Sequence, residues 1–339
     1  MKVRLCDEIF RHPTNKSDVS YLIKTIIRRR HSISIVSDVS ADISWLDPSD
    51  IQVIEDSIAA SLIGDMEEPD CKVINNAGNI HRDKTFSVNE AITYVATPLE
   101  IVLENGTNDS PLTLACIRSY LQSGSYAVSA YHDLRLVFAT GGGCTNVRNY
   151  LEGKVAQHGE RPKFLRHFVI LDGDRRYEGH DISKYDSLIA YLRSINVKFH
   201  ILEKRCMENY LPVDCFPDAD KNREWLNAFN ALTPRQRDFF NIGGGFRGDV
   251  PEGRKKEIDS SGGNIKSLLP QEQQDFYSDV TGTNFTTLSK GYDLPSFKKS
   301  FPKGFDDGKT NQTSLNALLQ HQDNPDELKD LASTIQKLL

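Results

Sequence analysis

Apolar side chains recur along this chain in two rhythms, that of an amphipathic helix and that of a buried strand. Val19, Leu22, Ile23, Ile26 and Ile27 stand at helical spacing and predict a helix over 18–30. It closes on Arg28-Arg29-Arg30-His31, cations that suit the negative end of a helix dipole. Ile33 to Val36 alternates like a strand. Asp47-Pro48 then opens a helix through Ile51, Ile54, Ile58 and Leu62, with a capping residue and a proline at the first helical position. Residues 71–97 read as short strands joined by Asn-Ala-Gly and His-Arg-Asp-Lys turns.

From Pro98 the alternation becomes regular. Leu99–Leu103 predicts a strand, and a helix follows through Leu114, Ile117 and Leu121, with Pro111 near its start. Leu134–Ala139 is a second strand ending in Thr140-Gly141-Gly142-Gly143, and Val147, Tyr150 and Leu151 mark the next helix. His167–Leu171 is a third strand, continuously apolar as in a parallel sheet covered on both faces. A helix near 183–194 and a strand over 197–202 complete the series. After Pro217 the pattern changes again: 222–240 looks helical, 243–312 is irregular, and Asn324-Pro325 opens a final amphipathic helix through Leu328, Leu331, Ile335 and Leu338. Strands alternating with helices imply an α/β fold with a mostly parallel sheet and flanking helices. The expected divisions are an N-terminal α/β segment over 1–97, a core over 98–215 and a helical and irregular region over 216–339.

The chemistry is concentrated where the strands end. His167-Phe168-Val169-Ile170-Leu171 runs directly into Asp172-Gly173-Asp174-Arg175-Arg176. Open parallel sheets place ligands beyond the carboxyl ends of their strands. Two carboxylates close together there repel unless a cation or proton intervenes, and hard oxygen donors suit Mg²⁺ or Mn²⁺. The other strands end in Glu104, in the triple glycine, and in the Glu203–Glu208 cluster, so a parallel sheet gathers all of them on one edge. Acids from several strand ends would form a cage for hard cations and leave room for a substrate phosphate. Gly141, Gly142 and Gly143 would let backbone approach that phosphate at a helix N-terminus. Lys204 and Arg205 are candidates for neutralising a leaving oxygen, or for salt bridges to Glu203 or Glu208, while Arg175 and Arg176 are candidates for steering nucleic acid. His132, His167, His180 and His200 are scattered and read as structural.

Together, an acid after the first of these strands, Asp172-x-Asp174 after the third and Glu208-Asn209-Tyr210-Leu211 beyond the fourth resemble the Toprim fold over residues 98–213. The resemblance is to OLD-family Toprim nucleases and to the standalone Toprim nuclease subunits of anti-phage systems such as PARIS. It implies a metal-dependent endonuclease with Glu104, Asp172, Asp174 and Glu208 as metal ligands. That family's first motif is usually Glu-Gly-x-x-Asp/Glu; here Asn105 replaces the glycine and the second acid, Asp109, stands one place late. No P-loop signature is present, so the resemblance implies a separately encoded ATPase or sensor, docking on 243–312 or on the final helix.

Composition narrows these readings only a little. A net charge of −6 excludes wholesale coating of nucleic acid but not a local basic groove. Six cysteines without C-x-x-C spacing fit a reducing compartment rather than a disulfide framework. The start has no apolar stretch of signal-peptide type and no later run reaches membrane-spanning length, so a cytoplasmic protein is expected. DNA and RNA such as tRNA remain open as substrates, as does association into a homo-oligomer. Two rivals stand beside the nuclease. One is a metal-dependent phosphatase-like hydrolase, whose Asp-x-Asp is usually followed by Thr or Val rather than Arg175. The other is an interaction protein with an inactive Toprim core.

Overall fold

In the computed structural model, residues 1–62, 68–78, 80, 83–121, 126–259, 265–305 and 310–339 are described. They contain two four-stranded parallel sheets. The first holds β1 (Lys2–Leu5), β2 (Ser32–Ser34), β3 (Cys71–Ile74) and β4 (Thr85–Ser87), in the order β2-β1-β3-β4. The second holds β5 (Leu99–Leu103), β6 (Leu136–Thr140), β7 (His167–Leu171) and β8 (Lys198–Ile201), in the order β6-β5-β7-β8. The expected α/β class and the adjacency of the four later strands are therefore observed.

The first sheet buries Val3, Leu5, Val73 and Phe86 against Leu22, Ile23 and Ile26 of the helix Lys16–Arg28 and Ala91 and Val95 of the helix Val88–Ala96. That last helix corrects the expectation of strands through residue 97. Ser87 and Glu90 form a reciprocal capping box, which starts a helix where the apolar pattern alone is ambiguous. His81 and Arg82 of the expected turn lie outside the described residues.

The second sheet is covered on both faces, and the two-residue period of the strand sorts its side chains. Leu99, Ile101, Leu103, Phe168 and Ile170 join one apolar cluster, while Val102, Val169 and Leu171 join another with Val147, Leu151, Leu188 and Leu192. Full burial of each such side chain contributes about 1.5–3 kcal/mol, so the alternation fixes the register. Residues 216–339 share the first of these clusters through Trp225, Phe229, Phe240, Phe246, Tyr277 and Phe301. The expected helix over 222–240 is two, Arg223–Asn230 and Pro234–Phe239, parted by Thr233, which caps the second with Gln236 in a capping box. The final helix, Glu327–Leu338, begins two residues beyond Pro325 and buries Leu328, Leu331, Ala332 and Ile335, so its apolar face is spent on the core rather than left for docking. Buried cations tie the sheets together: Lys163 Nζ lies 2.9 Å from Glu90, and Arg166 donates to the carbonyls of Thr97 and Leu338.

Candidate functional site

Four strand ends meet at the carboxyl edge of the second sheet, and glycines make the meeting sterically possible. A Cβ on Gly106 would sit 2.9 Å from the backbone of Ala139, so this glycine lets the helix Gly106–Tyr120 start directly against β6. A Cβ on Gly173 would lie 2.2 Å from the carbonyl oxygen of Lys204 and 2.5 Å from that of Leu202. Asp172 and Asp174 can therefore flank a point where β7 runs hard against the segment after β8. Asp174 takes a left-handed φ of 52°, and its amide donates to Arg205 O at 2.6 Å, which turns the chain away from the sheet.

Five carboxylates share the electrostatic field of this edge. Asp172 follows β7, and its carboxyl is held well above the ordinary value, first by burial and then by the charges of Glu208, Asp109, Glu104 and Asp174. Its Oδ1 is buried without a hydrogen-bond partner. Asp109, in the first turn of the helix Gly106–Tyr120, accepts from the Asn105 amide through Oδ2 at 2.7 Å. Burial, then the charges of Glu208 and Glu104, outweigh that bond and push Asp109 up to about 7. Glu104 is raised by burial and by Asp174, against the opposing charges of Lys298 and Lys184. Glu208 enters from the turn Met207–Tyr210.

The rest of the Glu208-Asn209-Tyr210-Leu211 segment is structural. Asn209 donates to the carbonyls of Arg237 and Phe240, and Tyr210 donates to the fully buried Glu327 at 2.6 Å. Glu327 also accepts from the Glu203 amide at 2.8 Å and contacts His200 Nε2 at 2.9 Å. The turn that carries Glu208 is thus anchored from the far end of the chain. Burial, with the charges of Glu208 and Asp172, raises the Cys206 thiol, so it stays protonated beside the acids.

Other nominated residues are committed elsewhere or to the backbone of this edge. Lys204 is 1% exposed, and its ammonium lies 2.8 Å from Asp238 and donates to Leu318 O. An unpaired buried charge is too costly to hold, so Asp238 fixes Lys204 inside the protein, and its expected catalytic role is corrected. Arg205 forms a two-pronged pair with Asp249, at 2.6 and 2.9 Å, which accounts for its charge in the same way. The amides of Gly141 and Gly142 already donate to Leu103 O and Glu104 O, so they are not a phosphate cradle. Gly141 is needed for space, because a Cβ there would meet Val147 at 2.3 Å. Gly143, with a φ of 87°, lies beside Glu104, whose Oε1 would be 3.8 Å from an added Cβ. Arg175 donates to Glu203 O and lines a cleft of about 380 Å³ with His180, Arg235 and His321; Arg176 donates to Asp249 O.

No protein-family model, curated protein or solved structure matches this chain.

Two contacts at the edge were missed in the sequence. Tyr185 donates its hydroxyl to Asp174 Oδ2 at 3.0 Å and reaches Asp172 O at 2.9 Å, and Lys184 Nζ contacts the same Asp174 oxygen. Tyr185 stands at helical spacing with Leu188 and Leu192 and shares their cluster, so the sequence shows its burial but not its bond to Asp174. Among the described residues no three His, Cys, Asp or Glu side chains are already drawn into one ligand set. The donors nevertheless suit a hard divalent cation: all are anionic oxygens, and Asp172 offers a buried oxygen that nothing in the protein satisfies.

Proposed function

We propose that this protein is a metal-dependent phosphodiester hydrolase, an endonuclease acting on DNA or on RNA such as tRNA. The observation that carries the reading is Asp172, a half-buried carboxyl whose Oδ1 is buried and unpartnered and which feels the charge of four other acids. Such a group needs a proton or a cation, and a site that must bind Mg²⁺ or Mn²⁺ provides the cation. The resemblance of residues 98–213 to Toprim nucleases supports the same choice.

Glu104, Asp172, Asp174 and Glu208 would hold the ion, with Asp109 beside them. A divalent cation bound there supplies Lewis acidity and an activated water for in-line attack on phosphorus. Asp172 would give up its proton in favour of the bound cation, and its position directly after β7 limits its motion. Tyr185 directs Asp174 by hydrogen bonding to Oδ2. Arg175, which lines a cleft next along the chain from Asp174, would meet the substrate backbone. None of these groups reads bases, so binding falls steeply with salt and little with sequence.

The test is to incubate the protein with plasmid, single-stranded DNA and tRNA in Mg²⁺, Mn²⁺ or EDTA. Cleavage of at least one substrate with a cation and none in EDTA is expected. No cleavage under any cation overturns the reading in favour of an inactive interaction protein or a phosphatase. A separately encoded ATPase or sensor would restrain such an enzyme in the cell, which co-purification checks.

A further inference from the structure

A phosphodiester hydrolase benefits from a protein cation beside the oxygens on which charge builds, and Lys204 and Arg205 spend their charges on Asp238 and Asp249. Another lysine stands at the acids. Lys184 lies in the 3₁₀ turn Ser183–Tyr185, and its Nζ contacts Asp174 Oδ2. The ammonium sits 4.8 Å from the ring centre of Tyr185. That tyrosine is 2% exposed and bonds to Asp174 and to the main chain of Asp172, so it fixes the turn against the end of β7. The Lys184 side chain itself is 47% exposed. An ammonium carries three donors. Asp174 takes one and directs the head toward the carboxylate edge, and the exposed flank is open to a substrate oxygen.

We propose that Lys184 is a catalytic cation of this site and takes an oxygen of the scissile phosphodiester as negative charge develops on it. The assignment rests on the hydrolase reading above. Lys184 is suited to the task because it is tethered at one acid yet accessible, whereas a fully buried lysine would be spoken for. Asp174 then serves two ends, orienting Lys184 through Oδ2 while its charge acts on Asp172 and Glu104.

The experiment compares wild type, Lys184→Met and Lys184→Arg by cleavage kinetics and by calorimetric titration with Mn²⁺. In Lys184→Met, kcat should fall about 100-fold, KM should change less than about threefold, and Mn²⁺ affinity should stay within about threefold of wild type. Lys184→Arg should recover about tenfold of the lost kcat, since it keeps the charge but not the shape of the head. Thermal denaturation of both variants should match wild type within a few degrees, because the side chain is half exposed. Cleavage by Lys184→Met within threefold of wild type overturns the proposal, and so does a loss of Mn²⁺ affinity in step with kcat, which would make Lys184 a support for Asp174 only. In either case an active wild type leaves the hydrolase reading standing. A wild type that cuts nothing overturns that reading and the role of Lys184 together.

Discussion

The two sheets of this protein have the same strand order, centre strand first and its neighbours added in the same sequence, yet only one carries a charged edge in need of a partner. The first sheet also presents acids after its central strand. Asp7 follows β1 closely, but its Oδ1 accepts from the Glu8 amide at 3.1 Å and its Oδ2 pairs with Arg11 at 2.8 Å. Glu8 accepts from the Asn75 amide at 2.7 Å. Those carboxylates are consumed by their own surroundings. In the second sheet the matching strand, β5, ends in Glu104, which burial and Asp174 hold above its ordinary value, and beside it the half-buried Asp172 follows β7 with a buried Oδ1 that meets no donor. An identical topology thus ends central strands in acids twice, and it is the partners of those acids that set the two edges apart.

The comparison is sharpest in activity. Asp172→Ala should lower metal-dependent cleavage by about 1,000-fold or more, roughly 4 kcal/mol of barrier, while Asp7→Ala should leave the rate unchanged. Equal rates in the two variants would show that the second edge is no more chemical than the first. Next in size is Gly173→Ala. Its methyl would strike the carbonyls of Lys204 and Leu202, and a loss of about 3 kcal/mol in urea denaturation is expected.

A smaller effect, of opposite sign, tests the charge itself. Asp109 has a folded pKa of about 7 against an ordinary 3.8, so its ionisation favours the unfolded chain; the penalty begins above pH 4 and is complete above about pH 7. Asp109→Asn should therefore stabilise the protein by on the order of 2 kcal/mol at pH 8 and by nothing at pH 3. Equal melting temperatures at pH 8 would contradict the crowding of charge. Mn²⁺ should raise the melting temperature of wild type by binding the folded state. Smallest of all, Asp7→Ala should cost about 0.5–1 kcal/mol, the worth of a helix cap and an exposed ion pair, at every pH above 5.

The second sheet was legible because burial leaves a plain mark. β5 and β7 match their expected bounds residue for residue, since an apolar run broken by a single polar residue and stopped by charge has few other meanings. β6 starts two residues later than expected. Leu134 is apolar but 68% exposed, with a left-handed φ of 54°, in the turn that leads into the strand. The acids at the strand ends were legible for the same reason as the strands. Lys204 was not: a lysine between Glu203 and Arg205 looks solvated, and only the arrival of Asp238 shows that it is buried. Lys184 and Tyr185 fall inside the expected helix near 183–194, whose first turn is 3₁₀, and a helical period does not say that either reaches Asp174. The short helices within 243–312, such as Gln271–Phe276 and Gly282–Leu288, escape notice because one or two turns display no amphipathic face.

Glu327 gives the molecule a schedule. It holds Tyr210, and with it the turn of Glu208, across 117 residues of sequence. In the order of synthesis the acids at the sheet edge are made first, and the residue that fixes this turn follows much later. Closing so long a loop is a slow, entropically opposed event that local helix formation does not hasten. Until that contact forms, the turn of Glu208 is held by Asn209 and its bonds to Arg237 and Phe240, so the final placement of the acids is a property of the assembled chain.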